Sequence, residues 1–399
     1  MTGKQFLFVL LALGLLVAAG FGLQSWKRSS YETADLRVGQ KLVDFRIDDV
    51  AEIRIVEPKS VVTLVRGERG WTVKERGDFP ADVEPIRELL LRLAEIKVVQ
   101  AEGLSDAVKP RLQLAAPDAG GKPEESGTLL ELKARDGKTL ASLLLGRKIH
   151  KDVKMPMLPD GIPTGRYVLV AAEPQRVNVV NEAFVSVLAK PERWLVKELF
   201  RVERPRSVVA LGPDGKEDWS LAKDTEEGFW RLLGPGTLDL QKGTDAGSAL
   251  YALPIADAAP GVSDADAGLD KPRTIRAQTY DGWNYELKIG KAAPENRYYV
   301  RSAVSGAVPE ARTPPADEKP EDKPEDKPED KPEDKEKADK AFAERKEALP
   351  AKLAREQSVA GRTVLASKSS VDALLRDRKG LLKVEAPKDA KAAKGAKKK

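Results

Sequence analysis

The sequence predicts an α+β fold: an N-terminal transmembrane helix, then two tandem repeats of a mixed strand and helix unit with antiparallel hairpins. Three observations predict this class. The stretch "FRIDDVAEIRI" at 45–55 returns as "FRVERPRSVVAL" at 200–211. Apolar residues that alternate with polar ones follow each copy and indicate strands, whereas an apolar stripe of helical period lies between them. An uncharged apolar run precedes both copies.

The uncharged run, Phe6 to Leu23, predicts a membrane anchor within residues 1–28. As a helix it would be about 27 Å long, which is just enough to cross the hydrocarbon core of a bilayer. A cleaved signal peptide is the alternative, because Val17-Ala18-Ala19 offers the small residues of a cleavage site. Both interpretations place the body outside the cytoplasm, on the periplasmic side of the inner membrane if the cell is Gram-negative. Lys4 on one side and Lys27 and Arg28 on the other leave the orientation undecided.

Composition excludes several function classes. The formal net charge of the 399 residues is +5, and the lysine-rich tail after residue 382 carries all of it. The rest of the chain is neutral, so the sequence argues against a nucleic-acid partner. No cysteine is present, which excludes disulfides, thiolate metal sites and a cysteine nucleophile.

The first repeat is expected over residues 40–199. Strands through Val62 and Trp71 lead to a helix opened by Pro85, and strands then return around a tight turn at Asp136-Gly137. One face of the helix is apolar and comprises Ile86, Leu89, Leu90 and Leu93. The stretches "GRYVLV" and "QRVNVV" predict two more strands, and Asn181 is the expected cap of a helix over "EAFVSVLA".

The second repeat, 200–386, presents these elements in the same order. Trp230 follows a Gly-Phe pair as Trp71 follows Gly70, and Asp281-Gly282 supplies the hairpin turn. The stretch "NRYYVRS" matches "GRYVLV", and "GRTVLASKSSVDALL" matches "QRVNVVNEAFVSVL", with Ser370 as the expected helix cap. A fixed order of elements at long period indicates duplication.

A low-complexity insert separates the last two elements of the second repeat, at about 305–357. It contains four KPED units and is expected to be disordered, because acidic residues and prolines cannot form a core. The following stretch, "KADKAFAERKEALPAKLAREQ", favours a helix interrupted by Pro350. The insert is either a tolerated loop expansion or a spacer that reaches a partner. The lysine-rich tail, 387–399, is also expected to be mobile.

The second repeat resembles a known family. "AGLDKPRTIRAQTYDGWNYELKIGK" followed by "RYYVRS" is similar to the bacterial family catalogued as domain of unknown function 4340, and the Gly268–Pro272 turn is its most specific element. The first repeat has only a reduced version of this turn, at Leu114–Pro117. The resemblance covers nearly all of residues 40–385. It implies a membrane-anchored extracytoplasmic protein, often encoded beside an ABC-type export permease and a gliding-motility-like auxiliary protein, and it implies no activity.

No residue pattern predicts a catalytic, cofactor-binding or metal-ligating residue. His150 is the single histidine and is expected at the surface. Asp264, Asp266, Gly268 and Asp270 lack the distal glutamate of a calcium loop and are expected to form caps and turns. The glycines of "GPDGK" and "GPG", near 212 and 234, are expected in turns rather than in a phosphate-binding loop.

Four tryptophans remain as candidates for a binding surface. Trp71 and Trp230 occupy equivalent repeat positions and are expected in the core. Trp219 and Trp283 have no aromatic counterpart in the first repeat, so their exposure would distinguish two functions. The first function is a noncatalytic accessory protein, anchored through residues 6–23 and associated with membrane proteins such as an ABC-type permease. The second is a module that binds an envelope polymer such as a glycan.

Overall fold

The computed structural model describes residues 37–117, 122–153, 160–309 and 332–383. The chain divides into two compact units, Met1–Trp194 and Leu195–Lys399. Each unit is built around one large antiparallel sheet.

The sheet of unit 1 has the strand order β4-β3-β2-β1-β6-β7-β8-β9-β5. Its strands are β1 Glu52–Glu57, β2 Ser60–Gly67, β3 Gly70–Val73, β4 Phe79–Pro80, β5 Val98–Gly103, β6 Thr128–Lys133, β7 Thr139–Lys151, β8 Ile162–Val170 and β9 Arg176–Val180. The helix α1, Val83–Glu95, begins at Asp82, whose carboxylate accepts the Glu84 N–H. Short 3-10 helices cover Ile47–Asp49, Lys74–Arg76, Pro110–Leu112, Pro123–Glu125 and Pro191–Arg193.

The sheet of unit 2 has the order β12-β11-β10-β14-β15-β16-β17-β13. Its strands are β10 Pro205–Leu211, β11 Glu217–Ala222, β12 Arg231–Leu232, β13 Asp257–Ala258, β14 Arg273–Thr279, β15 Asn284–Ala293, β16 Arg297–Ser305 and β17 Val364–Ser367. The helices are α2 Leu240–Ser248, α3 Asp264–Ala267, α4 Pro332–Val359, α5 Lys368–Leu375 and α6 Arg378–Leu381.

The two sheets share strand order and register. Without β4, the order in unit 1 becomes that of unit 2 when each strand is replaced by its counterpart. Individual cross-strand pairs also correspond: Leu145 pairs with Val168 as Ile289 pairs with Val300. By this register Arg166 corresponds to Tyr298. The match of "GRYVLV" with "NRYYVRS" in the sequence aligns it instead with Arg297, one residue away.

The predicted α+β class is wrong. Within the described residues the protein is mostly β, because its two large sheets hold more residues than its helices do and α3 and α6 are only four residues long. In those same ranges no helix is long and apolar enough to cross a membrane. The predicted anchor at 6–23, the cleavage site and the tail 387–399 lie outside the described residues.

Several local predictions are confirmed. The four apolar residues predicted to share one face of α1 are all buried. Gly137 and Gly282 both have φ values in the left-handed region, 85° and 80°, which suits their hairpin turns.

The helix predicted over "EAFVSVLA" is absent. Two backbone carbonyl groups of this stretch accept hydrogen bonds from a buried arginine side chain. Arg166 donates to the backbone oxygens of Ala183 and Phe184 at 3.3 and 3.4 Å, and also to Gly146 O and Leu145 O. Phe184 has a φ of 50°, which no right-handed helix accommodates. In unit 2 the corresponding helix, α5, forms, but it is preceded by Ser367 rather than by the predicted cap Ser370.

A glycine at the same place in each sheet lets the chain cross close to a strand. A Cβ on Gly146 would lie 2.5 Å from Leu112 O, and a Cβ on Gly290 would lie 2.1 Å from Ala267 O. The crossing segments contain the two turns that carry the family resemblance. In unit 1 one leucine of the crossing segment, Leu114, joins a buried cluster with Leu104, Leu144 and Val177.

The last part of the insert is helical, as the composition of residues 337–357 predicts, so the disorder expected over about 305–357 does not extend to this part. The helix α4 continues through Pro350 and reaches Val359. Residues 310–331, with most of the KPED units, lie outside the described residues.

Polar as well as apolar groups hold α4 on unit 2. Leu349 and Val359 are buried, and Lys352 Nζ lies 3.0 Å from Glu203 Oε2. Glu356 is 2% exposed. One of its oxygens accepts the Arg201 N–H, and the other accepts the Tyr285 hydroxyl, each at 2.9 Å.

Candidate functional site

Trp219 and Trp283, whose exposure would distinguish the two functions, are both buried. Their exposed fractions are 0% and 2%. The indole N–H of Trp219 donates to Arg376 O at 2.8 Å, and that of Trp283 donates to Ala307 O at 2.9 Å. Neither side chain is therefore available to a ligand at the surface.

Trp71 and Trp230 are also buried, at equivalent places in β3 and beside β12. Trp230 lies directly on α2, where a Cβ at position 247 would be 2.3 Å from its indole nitrogen. Gly247 is thus the residue that allows this close packing. Lys223 Nζ lies 5.2 Å from the centre of the Trp230 ring, within the range of a cation–π contact.

The most exposed aromatic side chain of the described residues is Phe229, which is 83% exposed. It lines an open groove of about 570 Å³ together with Trp230 and Tyr251, and Tyr251 is 55% exposed. Thr244 and Ser248, on the exposed side of α2, add hydroxyl groups to the wall. We call this feature the Phe229 groove.

Ion pairs fix the loop that carries Phe229. The Arg204 guanidinium binds both carboxylate oxygens of Glu226 and lies 2.5 Å from Asp281 Oδ1. Arg345 of α4 approaches the same Asp281 oxygen at 3.3 Å. The hydrogen bond from Arg204 holds the pKa of the Glu226 carboxyl below its usual range, which favours the ionised form of this carboxylate.

Sequence reasoning missed the Phe229 groove. Neither Phe229 nor Tyr251 belongs to a sequence pattern that predicts a binding site. The available signal was one aromatic residue next to the polar run "DTEEG", where no alternation places it in a core.

The remaining candidates do not line the groove. His150 is exposed near the end of β7. Asp264 pairs with Arg301 at 2.6 Å, which lowers the pKa of its carboxyl, and Ser263 caps α3 through the Asp266 N–H. Gly268 ends α3 with a φ of 68°. Asp270 is exposed in the turn that follows.

The described ranges contain no group of three or more histidine and acidic side chains that is arranged to hold a metal ion. The glycine-containing turns have ordinary turn geometry, since Gly215 and Gly234 have φ values of 75° and 85°.

A family model described as domain of unknown function (DUF4340) matches residues 71–272, which is half of the chain. The chain belongs to the DUF4340 family. In this DUF4340 protein the match runs from the buried tryptophan of β3 to the proline of the Gly268–Pro272 turn, so it includes the Phe229 groove. No curated protein and no solved structure matches the chain.

Proposed function

We propose that this DUF4340 protein is a noncatalytic, membrane-anchored extracytoplasmic accessory protein that binds another membrane protein through the Phe229 groove. The exposure of Phe229 on a loop fixed by ion pairs is the observation that supports it. An aromatic side chain held in a prearranged position gains apolar contact on binding and loses little conformational freedom.

We further propose that the bound protein is the permease of an ABC-type transporter. The family resemblance supports this choice, and so does the sequence of residues 6–23, which would keep the body close to the membrane. A groove of this size accepts one or two apolar side chains of such a partner.

Photo-crosslinking from the groove tests the proposal. Phe229 is replaced by a photoreactive phenylalanine analogue in the full chain, membranes are irradiated, and crosslinked proteins are identified after solubilisation in detergent. We expect an ABC-type permease crosslinked from position 229. The same analogue at Val185, an exposed residue of unit 1, is the matched control and should not capture it.

Two results would contradict the proposal. One is capture of the same proteins from positions 229 and 185. The other is capture only of a second copy of this chain, which would indicate self-association instead.

Trp219 and Trp283 do not support the alternative of a glycan-binding module, because both are buried. A different surface of unit 2 favours sugar binding, and its argument is independent of the Phe229 groove.

A further inference from the structure

Four neighbouring strands of unit 2 bring uncharged polar side chains into one row on the outer face of the sheet. Ser207 of β10 pairs with Gln278 of β14, Gln278 with Asn284 of β15, and Asn284 with Ser305 of β16. All four line a groove of about 470 Å³. Their side chains have no hydrogen-bond partner among the described residues.

The next row along the strands sets the depth and the charge of this groove. It consists of Val209, Arg276, Glu286 and Ala303 in register. Arg276 Nε lies 3.0 Å from Glu286 Oε2, so the two charges cancel. The small side chains of Val209 and Ala303 leave space above the sheet at both ends of the row.

The corresponding row of unit 1 is chemically different. Glu52 and Lys133 occupy the positions equivalent to Ser207 and Gln278, and they form an ion pair of 2.9 Å. The fold therefore accepts a self-paired, charged row at this place. Unit 2 instead carries hydroxyl and amide groups whose hydrogen-bonding capacity is unused.

We propose that the groove binds a neutral, hydroxyl-rich oligosaccharide that lies across β10, β14, β15 and β16. A planar amide donates and accepts side by side and so fits the neighbouring hydroxyl groups of a sugar ring. Strands about 4.8 Å apart place the four side chains over about 14 Å, the length of a few pyranose units in an extended chain. The zero net charge of both rows suits an uncharged ligand better than an anionic polymer.

A peptide fits this surface less well. Added strands pair at the edge of a sheet, whereas these residues lie on its face. Peptide side chains also require apolar pockets, and the groove has Val209 and Ala303 as its only apolar side chains within the two rows.

The test is a calorimetric titration of the purified full-length protein with the tetramers of β-1,4-linked N-acetylglucosamine and of β-1,4-linked glucose. We expect binding of at least one tetramer by the unchanged protein. The double variant S207E/Q278K, which copies the ion pair of unit 1, should weaken binding at least tenfold. Val99→Ser, an exposed change in unit 1, should leave it unchanged.

The single variants Ser207→Ala and Gln278→Ala are measured as well. Each should weaken binding several-fold, and they test the groove even if the double variant does not fold. Absence of binding by the unchanged protein at millimolar sugar would overturn the proposal. Equal binding by the unchanged protein and the folded variants would also overturn it, because the sugar would then bind elsewhere. None of these outcomes bears on the crosslinks from Phe229.

Discussion

At the scale of single residues, Asn178 contrasts with its counterpart in the other unit. Asn178 pairs with Val168 across β8 and β9, as Val364 pairs with Val300 across β16 and β17. Asn178 and Val364 are both fully buried, and neither the nitrogen nor the oxygen of the asparagine amide has a hydrogen-bond partner. Burial of unpaired polar atoms opposes folding.

Asn178→Val should therefore raise the free energy of unfolding of unit 1 by about 1–3 kcal/mol, since it removes the unpaired amide. The reciprocal change Val364→Asn should lower that of unit 2 by a similar amount. Urea unfolding followed by tryptophan fluorescence measures both. A loss of stability in Asn178→Val would mean that the amide has a partner, such as a buried water molecule.

At the scale of elements, the glycines under the crossing segments leave no room for a side chain. Gly290→Ala and Gly146→Ala should each lower the free energy of unfolding by at least about 1–3 kcal/mol, because the new methyl group overlaps a backbone oxygen that cannot rotate away. Gly103→Ala is the matched control, as a Cβ there meets nothing within 4 Å. Equal stability of the three variants would refute the close crossing.

The attachment of α4 should depend on pH through Glu356. Burial raises the pKa of its carboxyl, although the Arg201 N–H, Lys352, the Tyr285 hydroxyl and Arg355 all favour the ionised form. A carboxyl whose pKa is higher in the folded than in the unfolded protein stabilises the folded state when it is protonated. This stabilisation is complete below the pKa of the unfolded protein, and it is lost as the pH rises through the pKa of the folded protein.

Glu356→Gln removes this titration. As the pH falls from about 7 to about 4.3, the ordinary pKa of a glutamate carboxyl, unit 2 of the unchanged protein should gain stability relative to the variant. Urea midpoints at the two pH values measure the effect. Glu344→Gln, an exposed change on the same helix, is the control and should follow the unchanged protein. Parallel pH profiles for Glu356→Gln and the unchanged protein would refute the assignment.

Periodicity explains which elements the sequence predicts. The apolar stripe of α1 and the glycine turns follow local rules, so they are visible without the structure. The face of α4 that packs against the rest of unit 2 includes Arg345, Lys352 and Glu356, whose partners come from distant parts of the chain. The composition of residues 337–357 favours a helix, but a helix anchored by charged residues shows no hydrophobic period that would predict its attachment to unit 2.

The surfaces were less predictable than the fold, because exposure is a tertiary property. Trp219 and Phe229 are both aromatic residues of unit 2, yet one is buried and donates to Arg376 O while the other lies open. The row from Ser207 to Ser305 requires the pairing of four strands before its residues become neighbours. No single strand predicts this row, because each of its four residues comes from a different strand.

At the scale of the whole molecule, each unit contains every strand of its own sheet. Residues 37–194 and 195–383, expressed separately, should each unfold cooperatively on heating, because each has its own core. Calorimetry and near-UV circular dichroism test this. A fragment that ends at residue 150 lacks β8 and β9 and should not fold. Failure of both separate units to fold would show that neither core is sufficient.

The insertion before β17 also has a consequence for biosynthesis. The strand β17 lies between β16 and β13, so both of these lack a neighbour until residues 364–367 have been made. The connection between β16 and β17 is roughly ten times longer than the connection between β8 and β9. This greater length adds about 2 kcal/mol to the entropic cost of bringing the two strands together. At about 5–20 residues per second, the ribosome needs several seconds to supply the missing strand. During that interval the nascent chain presents an open sheet edge, and the acidic KPED stretch that leaves the ribosome next is the type of segment that discourages edges from joining between chains.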